Sequence, residues 1–298
     1  EPALLVDDRV ELTRILHTSR KHLQSKVWGA TEQTTSGVTK ARNLEREGVL
    51  AFPVIAGNDA LCKHLFDNRY GTGQSVFTAL MVNTNLYLGG KTVVLAGYGW
   101  CGKGLAQRAV GLNARVVVCE VDSVRALEAV ADGFAVMPME QAAEVGDFFI
   151  PSTGSNAVLR REHFERMKDG AVLANAGGVD VEIDVPALEE LAVEKREVRR
   201  HITEYRLPNG RRLHLLCQGL LVNLAGGDGH PVEIMDLSFA VQALAIYHLA
   251  RNRGKLSPRV YPLPSDIDQE IARVKLATLG IAIDSLMPAQ QEFLRRWQ

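Results

Sequence analysis

Between residues 92 and 174 short apolar runs alternate with segments of helical periodicity. Thr92-Val93-Val94-Leu95-Ala96, Arg115-Val116-Val117-Val118-Cys119, Phe134-Ala135-Val136-Met137, Phe148-Phe149-Ile150 and Ala171-Val172-Leu173-Ala174 show no polar alternation. Such runs predict strands buried on both faces. Helical segments lie between them, for example Ser123 to Ala131, where Ser123 is placed to cap the helix start. Strand, helix, strand in this order predicts a doubly wound α/β unit around a parallel sheet. Residues 1–65 mix helix-like periodicity with a Thr-rich polar stretch, Thr31-Glu32-Gln33-Thr34-Thr35-Ser36-Gly37, and the chain from 232 onward reads as helical. No internal repeat or low-complexity tract interrupts these zones.

Composition narrows this picture. With 298 residues the chain is long for one domain and comfortable for two. A 46% hydrophobic and 23% charged content excludes bulk disorder. Net charge is −1, from 34 basic and 35 acidic residues, so nothing in the balance calls for nucleic acid or an acidic membrane as a partner. No unbroken apolar run has the length of a bilayer span, and the first residues lack a basic-then-apolar signal pattern. Cys62, Cys101, Cys119 and Cys217 form no CxxC pair, which points to a reduced, cytoplasmic compartment and away from a metal site. The first residue is Glu1 rather than Met, so the chain is read as starting inside a longer gene product.

The first predicted strand runs directly into Gly97-Tyr98-Gly99-Trp100-Cys101-Gly102-Lys103-Gly104. This is GxGxxG between a strand and a helix. Gly97 permits the tight turn, Gly99 lets backbone approach a pyrophosphate, and Gly102 lets helix and strand pack closely. The helix start offers free N–H groups and the positive end of a dipole to the phosphates. The second strand ends at Glu120, the spacing expected of a carboxylate that accepts from an adenosine ribose. Its charge would repel a 2′-phosphate, so NAD is the expected cofactor. Arg125 is read as a solvated helix residue.

Beyond the glycine turn, four strings lie in order along almost the whole chain: Phe66-Asp67-Asn68-Arg69-Tyr70-Gly71-Thr72-Gly73, Ala96-Gly97-Tyr98-Gly99, Asp180-Val181-Glu182-Ile183-Asp184 and Gly229-His230-Pro231. Together they resemble the adenosylhomocysteinase family. The resemblance implies a Rossmann-type NAD-binding domain over 74–229. It also implies a discontinuous, mainly helical substrate domain made of 1–73 and 230–298, and a homodimer or homotetramer. The implied chemistry is redox-neutral: the 3′-hydroxyl of an adenine nucleoside is oxidised, the C4′ proton is acidified, the 5′ substituent leaves, and the hydride returns. By the same resemblance Lys63 helps deprotonate the 3′-hydroxyl, Asp67 and Asn68 hold that lysine and the sugar, and Asp8 lies at the C4′ proton. Thr34, Thr35, Ser36, Thr153, Asn175 and Asn223 are implied NAD contacts. Leu221, Leu224, Met235, Phe239 and His230 are implied around the adenine, although core packing explains the apolar ones equally well. The helical stripe Leu237, Val241, Leu244, Ala245 and His248 faces either a partner subunit or the core.

The chain also departs from the family pattern. Gln33 replaces a glutamate, which removes an ionisable group while keeping hydrogen-bonding ability. Gly178 replaces an active-site histidine, and Asp228 replaces a pocket methionine, where a carboxylate needs a polar partner. A family segment bearing an adenine-binding histidine-threonine motif has no counterpart before Glu1, and a C-terminal Lys/Tyr tail is missing after Arg295-Arg296-Trp297-Gln298. These changes beside an intact Lys63-Asp67-Asn68 set make the leading expectation a nucleoside 5′-dehydratase of the angustmycin-pathway type. Such an enzyme stops at the unsaturated sugar. The alternatives are ordinary hydrolysis of S-adenosyl-L-homocysteine and an inactive NAD-binding regulator.

Overall fold

The computed structural model describes residues 3–297. Among these residues, twelve strands form two sheets. The strands are β1 Leu4–Asp7, β2 Gly29–Glu32, β3 Val54–Ala56, β4 Thr92–Ala96, β5 Arg115–Cys119, β6 Ala135–Val136, β7 Phe148–Pro151, β8 Ala171–Leu173, β9 Glu194–Arg199, β10 Ile202–Arg206, β11 Arg212–Leu216 and β12 Val260–Pro262.

The larger sheet has the order β6-β5-β4-β7-β8-β11-β10-β9. The pairs from β6 through β11 are parallel, and β10 and β9 close the edge in antiparallel fashion. The five apolar runs of the sequence are its β4 to β8. Alternate residues of each central strand enter two different apolar clusters: Val93 and Leu95 with Val116, Val118, Phe148 and Ile150 on one face, and Val94 with Val117, Phe149 and Leu173 on the other. Burial on both faces is why the central runs lack polar alternation, whereas β6, at the sheet edge, has Ala135 exposed and Val136 only partly buried, against expectation. The helix Ser123–Ala131 forms, but its cap is Asp122, not Ser123. The Asp122 carboxylate accepts from the N–H groups of Val124 at 2.9 Å and Arg125 at 3.0 Å. A carboxylate at this position also favours the positive end of the helix.

The other zones depart from the helical expectation. The smaller sheet, β1-β2-β3-β12, is wholly parallel and draws its strands from both ends of the chain. These strands are three or four residues long, too short for periodicity to separate from helix. The helix Val232–Arg251 packs on this sheet and buries Leu237, Val241, Ala245 and Leu249. Of the stripe that could have met a partner, Leu237, Val241 and Ala245 are core, while Leu244 and His248 are partly buried. By length and composition this helix is apolar enough to cross a bilayer, although Glu233 and Asp236 interrupt the run near its start. Its buried face is instead used against Ile55 and Leu263.

Candidate functional site

The carboxyl ends of the two parallel sheets face each other, and the candidate residues lie at that meeting. Asp8 follows β1, Gln33 follows β2, and Gly57-Asn58 follow β3. On the larger sheet Gly97 follows β4, Thr153 lies two residues beyond β7, and Asn175 two beyond β8. β4 and β7 are neighbours at the point where the strand order reverses, the usual ligand crevice of an open parallel sheet. The sides approach closely here: Arg9 Nη1 lies 3.5 Å from Asp180 Oδ2, and a Cβ added at Gly178 would lie 3.4 Å from Ser36 Oγ.

One helical rod carries Lys63. It starts at Leu61, widens to a π-helix over His64–Gly71, and continues as an α-helix over Thr72–Thr84. The wider turn brings residues four and five positions on to the same side as the lysine. Lys63 Nζ thus donates to Asp67 Oδ1 at 3.1 Å and to Asn68 Oδ1 at 2.6 Å, and a third bond reaches Asn58 Oδ1 at 3.3 Å. Lys63 is 5% exposed, so its Nζ is buried among three acceptors. Burial alone would raise the Asp67 carboxyl. His230 Nδ1 at 3.3 Å, the charge of Lys63 and the Ser238 hydroxyl, which donates at 2.6 Å, together hold it well below the usual carboxylate range. His230 is therefore turned toward Asp67, with its Nε2 3.4 Å from Thr72 Oγ1. Gly71 makes room for that ring: a Cβ there would sit 2.7 Å from His230 Nδ1.

The Thr-rich stretch divides its hydroxyls between architecture and cleft. Thr34 caps the helix Thr35–Arg46, accepting from Gly37 N–H at 3.0 Å and donating to Glu32 Oε1 at 2.7 Å. Glu32, fully buried, also accepts from the N–H groups of Arg9 and Val10, both at positive φ. It locks the turn that presents Asp8. Burial pushes the Glu32 carboxyl up, and its hydrogen bonds to Thr34 and Val10 counter this. Thr35 Oγ1 accepts from Asn68 Nδ2 at 3.3 Å. Ser36 Oγ and both amide atoms of Gln33 are buried without a partner among the described residues. Asp8 stands at the open side of the cleft. Partial enclosure raises its carboxyl, Asp7 adds to this, and Lys63 opposes it.

The glycine turn is built as its pattern requires. Gly97 has φ +94°, and a Cβ on Gly102 would lie 2.1 Å from the Gly97 carbonyl oxygen. A Cβ on Gly99 would meet only Arg125 Nη1, at 3.8 Å, so this face of the turn is open. Glu120 Oε2 accepts from Tyr98 N–H at 2.6 Å, which draws the carboxylate onto the turn. Trp100 stacks on His64, next to Lys63, with ring centroids 5.1 Å apart. Thr153 is pinned through its N–H and hydroxyl to the fully buried Glu182.

Asn175 spends its side chain on the loop, donating to the carbonyls of Val179 and Gly219 and accepting from Gly177 N–H. Asn223 donates to Ser75 Oγ at 3.0 Å, and its Oδ1 is buried without a partner among the described residues. Leu221 and Met235 are partly buried; Leu224, Asp228 and Phe239 are exposed. Leu224 lies beside Gly229. Asn58, Ser238, Glu32 and Thr72 escaped sequence reasoning. The Asn58-Asp59 pair five residues before Lys63 gave a faint signal, whereas Ser238 meets Asp67 only because a distant helix returns.

These features fit a dinucleotide. A positive-φ glycine, an open glycine face and a helix start meet Glu120 on one side, and the orphaned Ser36 Oγ and Asn223 Oδ1 supply unused polar atoms. Residues 68–229 match the family described as S-adenosyl-L-homocysteine hydrolase, NAD binding domain. The chain is 54% identical to the adenosylhomocysteinase of Pyrococcus abyssi, spanning 100% of this chain and 70% of that one. It is 55% identical to that of Thermotoga maritima, spanning 100% and 74%. It is 53% identical to the S-inosyl-L-homocysteine hydrolase of Methanopyrus kandleri, spanning 100% and 70%. NAD is thus the cofactor, and the chain belongs to the adenosylhomocysteinase family of enzymes.

Proposed function

We propose that the protein hydrolyses a purine nucleoside thioether, S-adenosyl-L-homocysteine foremost, to the nucleoside and homocysteine. The observation that carries this is the buried Lys63-Asp67-Asn68-Asn58 set beside the dinucleotide turn. Identity of 53–55% to hydrolases of this kind supports hydrolysis over the expected 5′-dehydratase. Bound NAD supplies reversible hydride removal at the sugar carbon. Gly97, Gly99, Gly102 and Glu120 would hold it, with Ser36 and Asn223 reaching it from the cleft walls.

The residues divide the remaining work. Lys63 Nζ is the atom at which the proton of the 3′-hydroxyl is taken up and returned. Asp67, Asn68 and Asn58 fix its position, and Ser238 and His230 fix Asp67. Asp8, with its raised carboxyl, exchanges the C4′ proton. Gln33 offers the sugar a donor and an acceptor without taking a charge. Leu224, Met235 and Phe239 offer apolar surface to the base. Asp228 lies in the loop that follows the short helix carrying Leu224, and faces solvent or a polar group of the substrate.

The test mixes NAD-loaded protein with S-adenosylhomocysteine and, separately, S-inosylhomocysteine, following nicotinamide absorbance and products by mass. Transient NADH with release of homocysteine is expected. Loss of water from a nucleoside without homocysteine exchange returns the assignment to a 5′-dehydratase. No cofactor reduction with any nucleoside overturns the catalytic reading.

A further inference from the structure

We infer that Asp268 is a positioning residue for Lys63: a buried carboxylate from the C-terminal part of the chain fixes the end of the rod that carries the lysine. This rests on the role proposed for Lys63. Asp268 lies in the helix Ser265–Thr278 and is 7% exposed. Its Oδ2 accepts from Leu61 N–H at 2.6 Å and its Oδ1 from Cys62 N–H at 3.0 Å. Its backbone carbonyl also accepts from Cys62 Sγ at 3.3 Å. Leu61 and Cys62 are the first two residues of the rod, and Lys63 is the next. The first N–H groups of a helix have no partner within it, so one carboxylate satisfies two of them and sets where the rod begins.

The far side of the π segment is held as tightly. A Cβ on Gly104 would lie 1.8 Å from the Arg69 carbonyl oxygen, and one on Gly73 would lie 2.5 Å from the Gly104 oxygen. The π turn between these clamps brings Asp67 and Asn68 onto Lys63 only in one register. Without Asp268, the rod start loses its anchor and the lysine its fixed distance to both partners. Asp268 touches neither the cleft nor Lys63 Nζ, so its effect passes through the backbone.

The experiment compares full-length, NAD-loaded Asp268→Ala and Asp268→Asn with the parent. Asp268→Ala should slow substrate-driven cofactor reduction by about tenfold to a hundredfold, the scale of a misplaced catalytic group. KM and NAD occupancy should change little. Asp268→Asn keeps one carbonyl acceptor and should recover most of the rate. Amide exchange should accelerate at Leu61, Cys62 and Lys63 in Asp268→Ala. A lower unfolding temperature with an unchanged rate per folded molecule in both variants would reduce Asp268 to a structural residue and overturn the proposal. Should the parent itself reduce no cofactor, the Lys63 reading falls separately. Exchange at Leu61 and Cys62 then decides the anchor, and unchanged protection in Asp268→Ala overturns it. If Asp268→Ala does not fold, the Asp268→Asn rate and exchange decide alone.

Discussion

Gly99 and Gly102 differ in what an added methyl group meets, and the difference predicts opposite effects. At Gly102 a Cβ would stand 2.1 Å from the Gly97 oxygen and 2.9 Å from its carbon. Gly97 cannot retreat easily, because its N–H bonds the Cys119 carbonyl at 2.8 Å. Strand end and helix must part by roughly 1 Å, and overpacking of this kind costs about 1–3 kcal/mol. For a chain of this size that lowers Tm by several degrees, at roughly 2–4 °C per kcal/mol. At Gly99 a Cβ meets only Arg125, and the backbone, φ −74° and ψ −165°, is one that alanine adopts. Gly99→Ala should leave NAD-free protein unchanged or more stable by about 0.4–1 kcal/mol, through reduced freedom of the unfolded chain. With cofactor the order reverses. At a hundredfold excess of NAD over Kd the parent gains about 2.7 kcal/mol. Gly99→Ala should forfeit most of this, since the methyl group stands where backbone approaches a pyrophosphate. Thermal unfolding of stripped and reloaded protein, with calorimetric titration of NAD, reads both quantities. Parent-like NAD affinity in Gly99→Ala, or a stripped form less stable than Gly102→Ala, would refute the reasoning.

Lys63→Met should keep its NAD yet lose about a hundredfold to ten-thousandfold in substrate-driven cofactor reduction, the usual contribution of a placed base; a parent-like stopped-flow trace would remove Lys63 from the chemistry. The Asp67 carboxyl is held below its ordinary range despite burial, so its ionised pairing stabilises the fold above that range and is lost as pH falls through the depressed value. Asp67→Asn should thus be least stable relative to the parent near neutrality, with the gap narrowing below about pH 4; a gap independent of pH in denaturation curves contradicts this. Phe293, Leu294 and Trp297 near the C-terminus are 77%, 68% and 89% exposed. Apolar surface of this kind, with the family membership, leads us to expect a homodimer or homotetramer. Light scattering that gives a monomeric mass at micromolar concentration would exclude it.

Five of the eight strands of the larger sheet, β4 to β8, and the glycine turn after β4 were readable locally in the chain, whereas β9, β10 and β11 were not. Runs such as Val93-Val94-Leu95 are apolar because both faces of a central parallel strand are covered, and Gly97, Gly99 and Gly102 have local duties that any reader of the chain can assign. Lys63, Asp67 and Asn68 were legible through the family resemblance, which one short continuous segment carries. Everything else depends on packing between distant segments. The smaller sheet is made of strands too short to show a period, one of them 206 residues beyond its partner at the register Val260↔Val54. Ser238, His230 and Asp268 reach the lysine's surroundings only when that C-terminal part folds back. Contacts between distant segments leave no local pattern in the chain, because their partners are chosen by packing and not by spacing. The same physics separates Thr34, whose hydroxyl the fold consumes as a cap, from Ser36 two residues on, whose buried hydroxyl has no partner among the described residues.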